Sequence, residues 1–391
     1  MSRLLVVGAS HAEIPLIRAG QGLGHWVSTV GSDAEAIGAK SSDSHFAVDF
    51  SDAAAVLRVF DEGNFHGVIA GCNDFAAFTA ARVSEARGLA NCDSNDTTRL
   101  IHHKDAFRKV ASELKLNSPE HFVVSSVKEA NEISQQIKFP VIVKPTDLTG
   151  GKGVNVVQDP SALGTAVETA LSRSRMKKVV VESFVAGSLR SALFIVLGGV
   201  TQLVVSADEF MYLNPFLVTS AVSNIGEAPE TRHGLAEQIG LVVSALALTD
   251  GLMHVQYIWS GSDFTILEIC RRPPGDLYLL LAEFSSGYNI SEKIVLLALG
   301  ESVAPPTPNL KVKPVFRLCL MSPKPGQILE WKLHPKLNSQ VSFREDLRPQ
   351  QTLIENHLVE KLSIVLGYGV SHQELVNLVN DHNHQLTLRY K

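Results

Sequence analysis

Two lysines separated by a glycine-rich segment are the most chemically suggestive feature of this sequence. Lys144 ends an apolar run over residues 141–145, and the segment 149–153 follows with three glycines and Lys152. Glycines let main-chain N–H groups approach phosphate oxygens closely, and lysines act as point charges on those oxygens. The pattern predicts a polyphosphate site that includes Lys144, Gly150, Gly151 and Lys152.

A second segment, residues 182–187, has the character of a slot for a flat base. An apolar strand leaves through Glu182, Phe184 and Val185 and reaches a glycine. Main-chain groups at Glu182 and Val185 can match the hydrogen-bonding edge of adenine, and Phe184 can supply an apolar wall. Together with the lysines, the segment predicts that the polyphosphate belongs to ATP.

A third segment places a carboxylate directly before two arginines. Glu268 lies near the end of an apolar strand, followed by Arg271 and Arg272. A carboxylate facing a triphosphate is a ligand for Mg²⁺ or Mn²⁺, since hard cations take oxygen ligands. Arg272 can stabilise charge on a phosphoryl group in transit, whereas Arg271 is assigned a structural or substrate-facing role. Arg317, on a later strand, is a further residue that can reach this site.

Composition excludes several function classes. The 391 residues carry a net charge of −5, with 45% apolar and 19% charged residues. No basic block is present, which argues against nucleic acid as a partner. The longest apolar stretch, residues 240–248, is too short to cross a bilayer, so no membrane partner is expected. The start of the sequence has no signal-peptide layout and the four cysteines are scattered, which predicts a cytoplasmic protein with reduced thiols.

The order of elements predicts a parallel sheet first and an antiparallel sheet later. Residues 4–7 and 26–30 have the character of strands flanking a helix over 14–23, which is a βαβ opening. Residues 8–13 match only half of a dinucleotide fingerprint, so a structural turn is favoured over a nicotinamide site. Further predictions are helices at 104–114, 126–137, 161–171 and 231–249, a hairpin turn at 260–263, a boundary at 304–308, and two short helices within 353–379.

Two smaller expectations concern side chains near these elements. The adjacent histidines His102 and His103 are assigned to solvent. The aromatic segment 210–216 has no clear place in a core, and we expect it to shape a pocket for the acceptor substrate.

These motifs, in this order, resemble those of the ATP-grasp superfamily. Its members share a strand ending in Lys-Pro, a glycine-rich loop, a Glu-x-aromatic segment and a terminal Glu-x-Asn-x-Arg. The resemblance implies that Lys104 covers the nucleotide phosphates as well. It also implies an α/β fold (α+β in the C-terminal part): a Rossmann-like or flavodoxin-like N-terminal domain at 1–101, a lid subdomain at 102–190, and a large subdomain at 191–391.

The resemblance also implies a reaction. Such enzymes use ATP and Mg²⁺ to phosphorylate a carboxylate, and an amine then displaces phosphate from the acyl-phosphate. The nearest branch is that of L-amino-acid and dipeptide ligases, which predicts small carboxylate and amine substrates and leaves a homodimer open. A biotin-carboxylase-like or purine-pathway ligase remains an alternative.

Two positions depart from the family pattern at the metal site. Gln256 stands where a glutamate is usual, and Cys270 replaces the asparagine. An amide oxygen binds Mg²⁺ without contributing charge, and a thiol is a poor ligand for it. Gln256 and Asp276 are the candidates to complete the site around Glu268. The same departures keep open a nucleotide-binding protein with weakened catalysis.

Overall fold

The N-terminal part folds around a parallel sheet, as the βαβ pattern predicts. The computed structural model describes residues 1–90, 92–148, 150–224, 226, 229–307 and 312–391. The sheet has the strand order β3-β2-β1-β4, and residues 4–7 of β1 are apolar and buried on both faces, as a parallel sheet covered by helices requires. Its elements are β1 Arg3–Val7, α1 Ile14–Gly22, β2 Trp26–Gly31, α2 Ile37–Ser41, β3 Ser44–Ala47, α3 Ala53–Glu62, β4 Gly67–Ala70 and α4 Asp74–Arg87.

A small antiparallel sheet with two helices packed on it follows. Its strand order is β5-β8-β6-β7, so the Lys144 strand lies beside the strand that carries Glu182. Ser126 caps the first of its helices by accepting the main-chain N–H of Glu129. The elements of this part are α5 Asn95–His102, α6 Lys104–Glu113, β5 His121–Val124, α7 Val127–Ile133, β6 Val141–Pro145, β7 Asn155–Val157, α8 Leu163–Arg173 and β8 Val179–Ser183.

An eight-stranded sheet in the order β13-β12-β9-β10-β11-β14-β18-β16 dominates the remainder, with a three-stranded sheet in the order β17-β15-β19 beside it. The predicted hairpin is present, because β12 and β13 pair antiparallel across the turn. The elements are β9 Ser188–Leu197, β10 Val200–Met211, β11 Val218–Ser223, α9 Pro229–Ala245, β12 Gly251–Trp259, β13 Phe264–Cys270, α10 Tyr278–Ser286, α11 Ile290–Ala298, β14 Val315–Met321, β15 Gly326–Leu333, α12 Pro335–Asn338, β16 Val341–Asp346, β17 Thr352–Ile354, β18 Lys361–Tyr368, α13 His372–Asn380 and β19 Leu386–Tyr390.

The large sheet is covered on both faces. The apolar residues of α9 pack on one face in a cluster with Phe194 and Val255. On the other face, α10, α11 and side chains of the N-terminal part share a cluster with Leu193 and Ala221. The N-terminal part therefore rests against the sheet that carries Glu268, which brings the ends of its parallel strands close to that carboxylate.

The prediction for the tail was wrong in part. Within 353–379 the structure has strands β17 and β18 before the single helix α13. The segment of β18 is apolar and buried along most of its length, and a short buried run cannot be assigned to helix or strand from its pattern alone. The segment is a strand because it pairs with β14 and β16 on either side.

The predicted domain boundaries remain predictions. The parallel sheet ends at Ala70, the small sheet at Ser183, and β9 of the large sheet begins at Ser188. Residues 304–307 of the predicted boundary segment connect α11 to β14, and Pro308 lies outside the described residues. Among the described helices, none combines the length and apolar character that crossing a bilayer requires.

Candidate active site

A buried carboxylate joins two cations across the small sheet. Lys144 Nζ donates to Glu182 Oε2 over 2.7 Å, and Arg108 Nε donates to Glu182 Oε1 over 2.8 Å. Glu182 is only 1% exposed. Burial alone would raise the pKa of Glu182, but Lys144 and Arg108 outweigh it and lower the pKa to about 2. The carboxylate is therefore ionised, and it holds Lys144 in place while leaving two of its ammonium protons for other acceptors.

The same arginine connects the small sheet to the large one. Arg108 Nη2 donates to the main-chain oxygen of Leu267 over 2.6 Å, and Lys104 lies one turn earlier on α6. Lys104 Nζ donates to the oxygen of Leu148 over 2.7 Å and lies 3.8 Å from Glu268 Oε2. Two of the three predicted phosphate lysines thus lie in one network that ends at the predicted metal ligand.

Glu268 is available for a cation. Its side chain is 45% exposed, and its ion-pair contact with Lys104 is long. Gln256 faces it across the β12–β13 ladder, but Gln256 Nε2 donates to Glu209 Oε2 on β10 over 2.6 Å. Among the described residues, no three His, Cys, Asp or Glu side chains form a metal cage. Mg²⁺ in nucleotide sites is held by one or two carboxylates together with phosphates and water, so Glu268 fits the ion without such a cage.

The cysteine of the altered motif remains a neutral thiol. Cys270 is buried, and burial raises its pKa to about 11. Its Sγ lies 3.8 Å from His254 Nδ1. Burial lowers the pKa of His254 to about 3, so the imidazole is neutral as well. The pair contributes no charge to the site and no activated nucleophile.

Arg272 is held by a residue from the N-terminal part that the sequence did not indicate. Its Nε donates to Asp74 Oδ1 over 2.7 Å, and His102 Nδ1 lies 3.1 Å from the same oxygen. The main-chain N–H of Arg271 donates to His102 Nε2 over 3.3 Å, which leaves the Nδ1 proton for Asp74. Burial alone would raise the pKa of Asp74, but Arg272 and His102 outweigh it and hold that pKa well below its ordinary value.

The expectation that His102 is solvated was therefore wrong, because the imidazole is buried between α4 and β13. The assignment of Arg271 as structural agrees with its contacts. Its guanidinium donates to Asp93 Oδ2 over 2.7 Å and to the main-chain oxygens of Leu252 and Thr249.

One cleft brings these groups together. It lies between α5, α6 and the end of β13, and Arg108 Nη1 in it is buried without a partner among the described residues. A buried donor in that state favours a bound acceptor such as a phosphate oxygen. The polar residues that line the cleft are Asp74, His102, Lys104, Arg108, Glu268 and Arg272.

The glycine-rich loop begins next to Leu148, whose main-chain oxygen accepts from Lys104. Gly150, Gly151 and Gly153 have φ of +64°, +70° and +75°, a conformation that favours glycine at each position. Lys152 is exposed, and no ion pair to it is found in the described part of the chain, so the third predicted lysine is not gathered with the other two. Thr149 lies outside the described residues.

The aromatic segment predicted near the acceptor pocket meets this loop. Gly151 packs directly on the main chain of Phe216, where a Cβ would have no room. Phe210 and Met211 end β10, and the Tyr212 ring stacks on His382 at 3.9 Å between centroids. The segment therefore forms the surface on which the glycine-rich loop packs. Its predicted role in shaping an acceptor pocket remains a prediction.

The predicted adenine segment has exposed side chains, but one of its main-chain N–H groups is already hydrogen-bonded. Phe184 is 44% exposed and Val185 is half-buried beyond the end of β8. The Phe184 N–H donates to the oxygen of Pro140 over 3.1 Å, so it is engaged within the small sheet. Sequence reasoning assigned Glu182 only main-chain groups and missed the role of its carboxylate.

Asp276 does not join Glu268. Both of its carboxylate oxygens lie 2.5 Å from Lys361 Nζ, His11 Nε2 lies 3.3 Å from Oδ1, and Arg317 Nη1 lies 3.8 Å from Oδ2. Burial alone would raise the pKa of Asp276, but these partners, Lys361 first, hold it well below its ordinary value. A carboxylate already neutralised by cations is a poor metal ligand, so its assignment to the metal is withdrawn.

Main-chain N–H groups near the turn after β1 are hydrogen-bonded to a side chain of the same turn. Glu13 is buried, and its carboxylate accepts the main-chain N–H of Ser10 over 2.7 Å and that of Cys72 over 2.8 Å. These N–H groups are the kind that a dinucleotide pyrophosphate would need. The contacts favour the structural reading of residues 8–13.

Sequence reasoning missed Asp74, Arg108, Glu209 and Lys361. Two of them carried a usable signal. Asp74 begins a helix just after the carboxyl end of a parallel strand, where α/β folds place ligand contacts. Arg108 lies four residues after Lys104 on the same helical face. Glu209 and Lys361 become visible only through the register of the large sheet.

Comparison with known proteins places this geometry in a family. The model described as "Carbamoyl-phosphate synthase L chain, ATP binding domain" matches residues 103–304. The carbamoyl phosphate synthase large chain of Gemmatimonas aurantiaca is 25% identical over 262 residues, which cover 64% of this chain and 23% of that one. A formate-dependent phosphoribosylglycinamide formyltransferase of Rhodococcus jostii is 29% identical over 187 residues, which cover 47% of this chain and 46% of that one. The chain thus spans less than half the length of either relative.

Solved structures agree on the fold. The L-amino acid ligase of Bacillus licheniformis matches with a TM-score of 0.85 at 17% identity over 100% of this chain and 99% of that one. A biotin carboxylase domain of Hydrogenobacter thermophilus, solved with MgADP and bicarbonate, matches with a TM-score of 0.82 at 14% identity over 100% of this chain and 91% of that one. These matches confirm the predicted fold class, and the family model confirms the ATP-grasp resemblance.

Proposed function

We propose, from the premise that this chain belongs to the carbamoyl-phosphate synthase large-chain ATP-binding family and so to the ATP-grasp ligases, that it joins a carboxylate to an amine and uses an amino acid as a substrate. ATP and Mg²⁺ are the cofactors of that superfamily. The observation that carries the proposal is the cleft in which Lys104, Glu268 and Arg272 meet. It offers cations for a polyphosphate and a carboxylate for its metal ion at one place.

The lysines provide the positive charge that a triphosphate requires. Lys104 and Arg108 line the cleft with Glu268, and Lys144 is linked to Arg108 through the Glu182 carboxylate. In the proposed complex, Arg108 Nη1 gains the acceptor that it lacks. Lys152 reaches the phosphates when its loop covers them, which excludes water from the reaction.

The base binds beyond the end of β8. Glu182 and Val185 supply main-chain groups to adenine, and the exposed ring of Phe184 forms a wall of the slot. Because the Glu182 carboxylate is occupied by Lys144 and Arg108, it fixes the position of both and does not contact the base.

Glu268 would hold Mg²⁺ or Mn²⁺, and the side-chain oxygen of Gln256, its neighbour across the β12–β13 ladder, would be a neutral second ligand. The Gln256 amide nitrogen donates to Glu209, which leaves its oxygen free to face a cation. The bound ion supplies charge neutralisation to the phosphates.

Arg272 stabilises the transferring phosphoryl group. A substrate carboxylate oxygen forms a bond to the γ-phosphorus while the bond to the β–γ bridging oxygen breaks and ADP leaves. An amine then forms the amide bond, phosphate leaves with the acyl-phosphate oxygen, and the amine loses a proton. Asp74 accepts from Arg272 Nε and the main-chain oxygen of Pro273 accepts from Nη1, so Nη2 is the nitrogen that faces the developing charge.

Replacement of Glu268 tests the proposal. We expect Glu268→Ala to lower ATP-dependent phosphate release at least 100-fold with an unchanged melting temperature, because the half-exposed side chain stabilises little. Phosphate release is measured across amino acids, dipeptides and small dicarboxylates, with mass spectrometry of the products. Glu132→Gln, an exposed carboxylate on α7, is the control and should leave the rate unchanged. Wild-type turnover in Glu268→Ala would refute the metal assignment.

A second function is favoured by one observation. Gln256 and Cys270 remove charge from the metal site, and Gln256 is bonded to Glu209. A protein that binds nucleotide with weakened catalysis would bind ADP tightly yet form none with any substrate pair, and the same assay separates the two functions. Assembly as a homodimer and a cytoplasmic location remain predictions, and light scattering on the purified chain tests the former.

A further inference from the structure

A row of polar side chains crosses the face of the large sheet that α10 covers. Glu268 on β13, Gln256 on β12 and Ser191 on β9 are paired neighbours in the ladder. Ser191 faces Ala207 on β10, and Glu209 lies two residues further along on the same face. The hydrogen bond from Gln256 to Glu209 continues the row from the predicted metal ligand into the interior.

Glu209 is a buried carboxylate without a directly bonded cation. It is 6% exposed, and the neutral amide of Gln256 donates to it over 2.6 Å. A buried carboxylate in this state gains free energy when a cation binds beside it.

Arg317 is a buried cation with an unused hydrogen-bond donor. It is 2% exposed on β14, and its Nη1 donates over 3.3 Å both to the main-chain oxygen of Asp276 and to Cys319 Sγ. Its Nε is buried with no partner among the described residues. A buried guanidinium with an unused donor favours an anionic ligand that can accept from it.

Glu209 and Arg317 lie on the same face of the large sheet, two strands apart. In the ladder Glu209 pairs with Ala221 on β11, and Ala221 pairs with Arg317. Two strand spacings separate their main chains by about 10 Å. The buried residue between them presents only a methyl group, and the structure records no ion pair of 4.0 Å or less between these two described side chains.

The surroundings leave positive charge at the Arg317 end. Lys361 and Arg317 both face Asp276, whose single charge offsets one of them, and His11 lies at the rim. The side chains of His11, Asp276 and Lys361 are 13–24% exposed, so this end of the row lies near the surface. A ligand carboxylate would neutralise the remaining charge.

We propose that Glu209 binds the ammonium group and Arg317 the carboxylate of a free α-amino acid, which is the amine substrate of the reaction. The inference rests on the proposed function and names the site of one substrate. Since Glu209 is bonded through Gln256 toward Glu268, the amino group faces the phosphate end of the row and the carboxylate faces away from it. That orientation presents the amine to an acyl-phosphate and keeps its own carboxylate from being activated.

The test uses calorimetric titration of the full chain saturated with ADP and Mg²⁺. Pools of the twenty common L-amino acids identify the tightest binder, which is then compared with its deaminated acid and its carboxamide. We expect the wild type to bind the amino acid at least tenfold more tightly than either analogue. Glu209→Gln should lose about tenfold for the amino acid and nothing for the deaminated acid, and Arg317→Gln should lose affinity for the amino acid but not for the carboxamide.

Glu283→Gln on α10 is the matched control, because Glu283 is a partly buried carboxylate that accepts the Ser291 N–H outside the row. It should bind like the wild type. Equal losses for the amino acid and its deaminated acid in Glu209→Gln would overturn the assignment. Should the variants fail to fold, equal affinity of the wild type for the amino acid and both analogues would overturn it as well.

Failure of this inference is distinguishable from failure of the proposed function. A wild type that binds ADP and releases phosphate with other carboxylate and amine pairs, yet binds no amino acid, loses only the amino-acid site. A wild type that does not bind ADP loses the ligase proposal itself.

Discussion

At the scale of single residues, the ionised Glu182 is the group on which the arrangement of the cleft depends. Removing its charge leaves Arg108 and Lys144 buried without their shared partner. Breaking a buried ion pair by removing one member costs on the order of 3–5 kcal/mol, whereas an exposed pair contributes about 1 kcal/mol or less. The carboxylate therefore matters for both stability and the position of a phosphate-binding lysine.

The pH dependence of unfolding reports this carboxylate. Its folded pKa of about 2 lies below its ordinary value of 4.5, so its stabilisation is present above about pH 4.5 and is lost as the pH falls toward 2. The shift corresponds to roughly 3 kcal/mol. We expect the unfolding free energies of wild type and Glu182→Gln, measured in urea, to differ by a constant amount above pH 5 and to converge below it.

Glu113→Gln controls for any carboxylate on the surface. Glu113 is an exposed residue that faces Lys109 at 3.8 Å, and its replacement should change the unfolding free energy by less than about 0.5 kcal/mol at every pH. A difference between wild type and Glu182→Gln that stays constant down to pH 3 would contradict the role assigned to Glu182.

At the scale of elements, the glycine-rich loop and the end of β10 act as a pair. Gly151 packs on Phe216 main-chain atoms, whereas Gly150 has open space at its Cβ position, and both have positive φ. A side chain at either position strains the backbone by about 1–2 kcal/mol, but only one at Gly151 would also separate the loop from its seat.

Two alanine variants separate these effects. We expect Gly150→Ala to lower kcat/KM for ATP about fivefold, and Gly151→Ala to lower it at least tenfold more, because the loop can no longer close over the phosphates. Steady-state kinetics at varied ATP concentration measures both. Equal losses in the two variants would show that contact with Phe216 has no part in closure.

At the scale of the whole molecule, the N-terminal part contributes side chains to the cleft formed by the parts that contain the small and the large antiparallel sheets. Asp74 at the start of α4 holds Arg272 at the end of β13, and His102 joins both through the Arg271 main chain. A parallel sheet with no complete dinucleotide fingerprint thus contributes to the candidate active site by placing the Asp74 carboxylate at its strand ends.

Replacement of Asp74 tests this arrangement. We expect Asp74→Asn to lower kcat at least tenfold with little change in the KM for ATP, because Arg272 acts mainly when charge develops on the phosphoryl group. Asp61→Asn is the control, since Asp61 pairs with Arg87 on the exterior of the same part of the chain. A rise in the ATP KM with an unchanged kcat would assign Asp74 to nucleotide binding instead.

The sequence by itself determined the elements and the order of the motifs. The Lys144 strand, the glycine loop, the Glu268 hairpin and the βαβ opening follow from hydrophobic period and turn residues, which are local properties. The same information assigned the Glu182 segment and Glu268 to one family pattern. It could not assign the tail, because a short buried run fits helix and strand equally well.

Only the tertiary structure decided which charges meet. Glu209 and Arg317 both pair with Ala221 through the strand register. Asp276 forms its ion pair with Lys361, 85 residues away in the sequence. Asp74 accepts a hydrogen bond from Arg272, 198 residues away. Partner choice among buried charges depends on distance and burial, and neither is encoded in the types of adjacent residues. The chemistry of each side chain can therefore be read from the chain, whereas its partner is set by the fold.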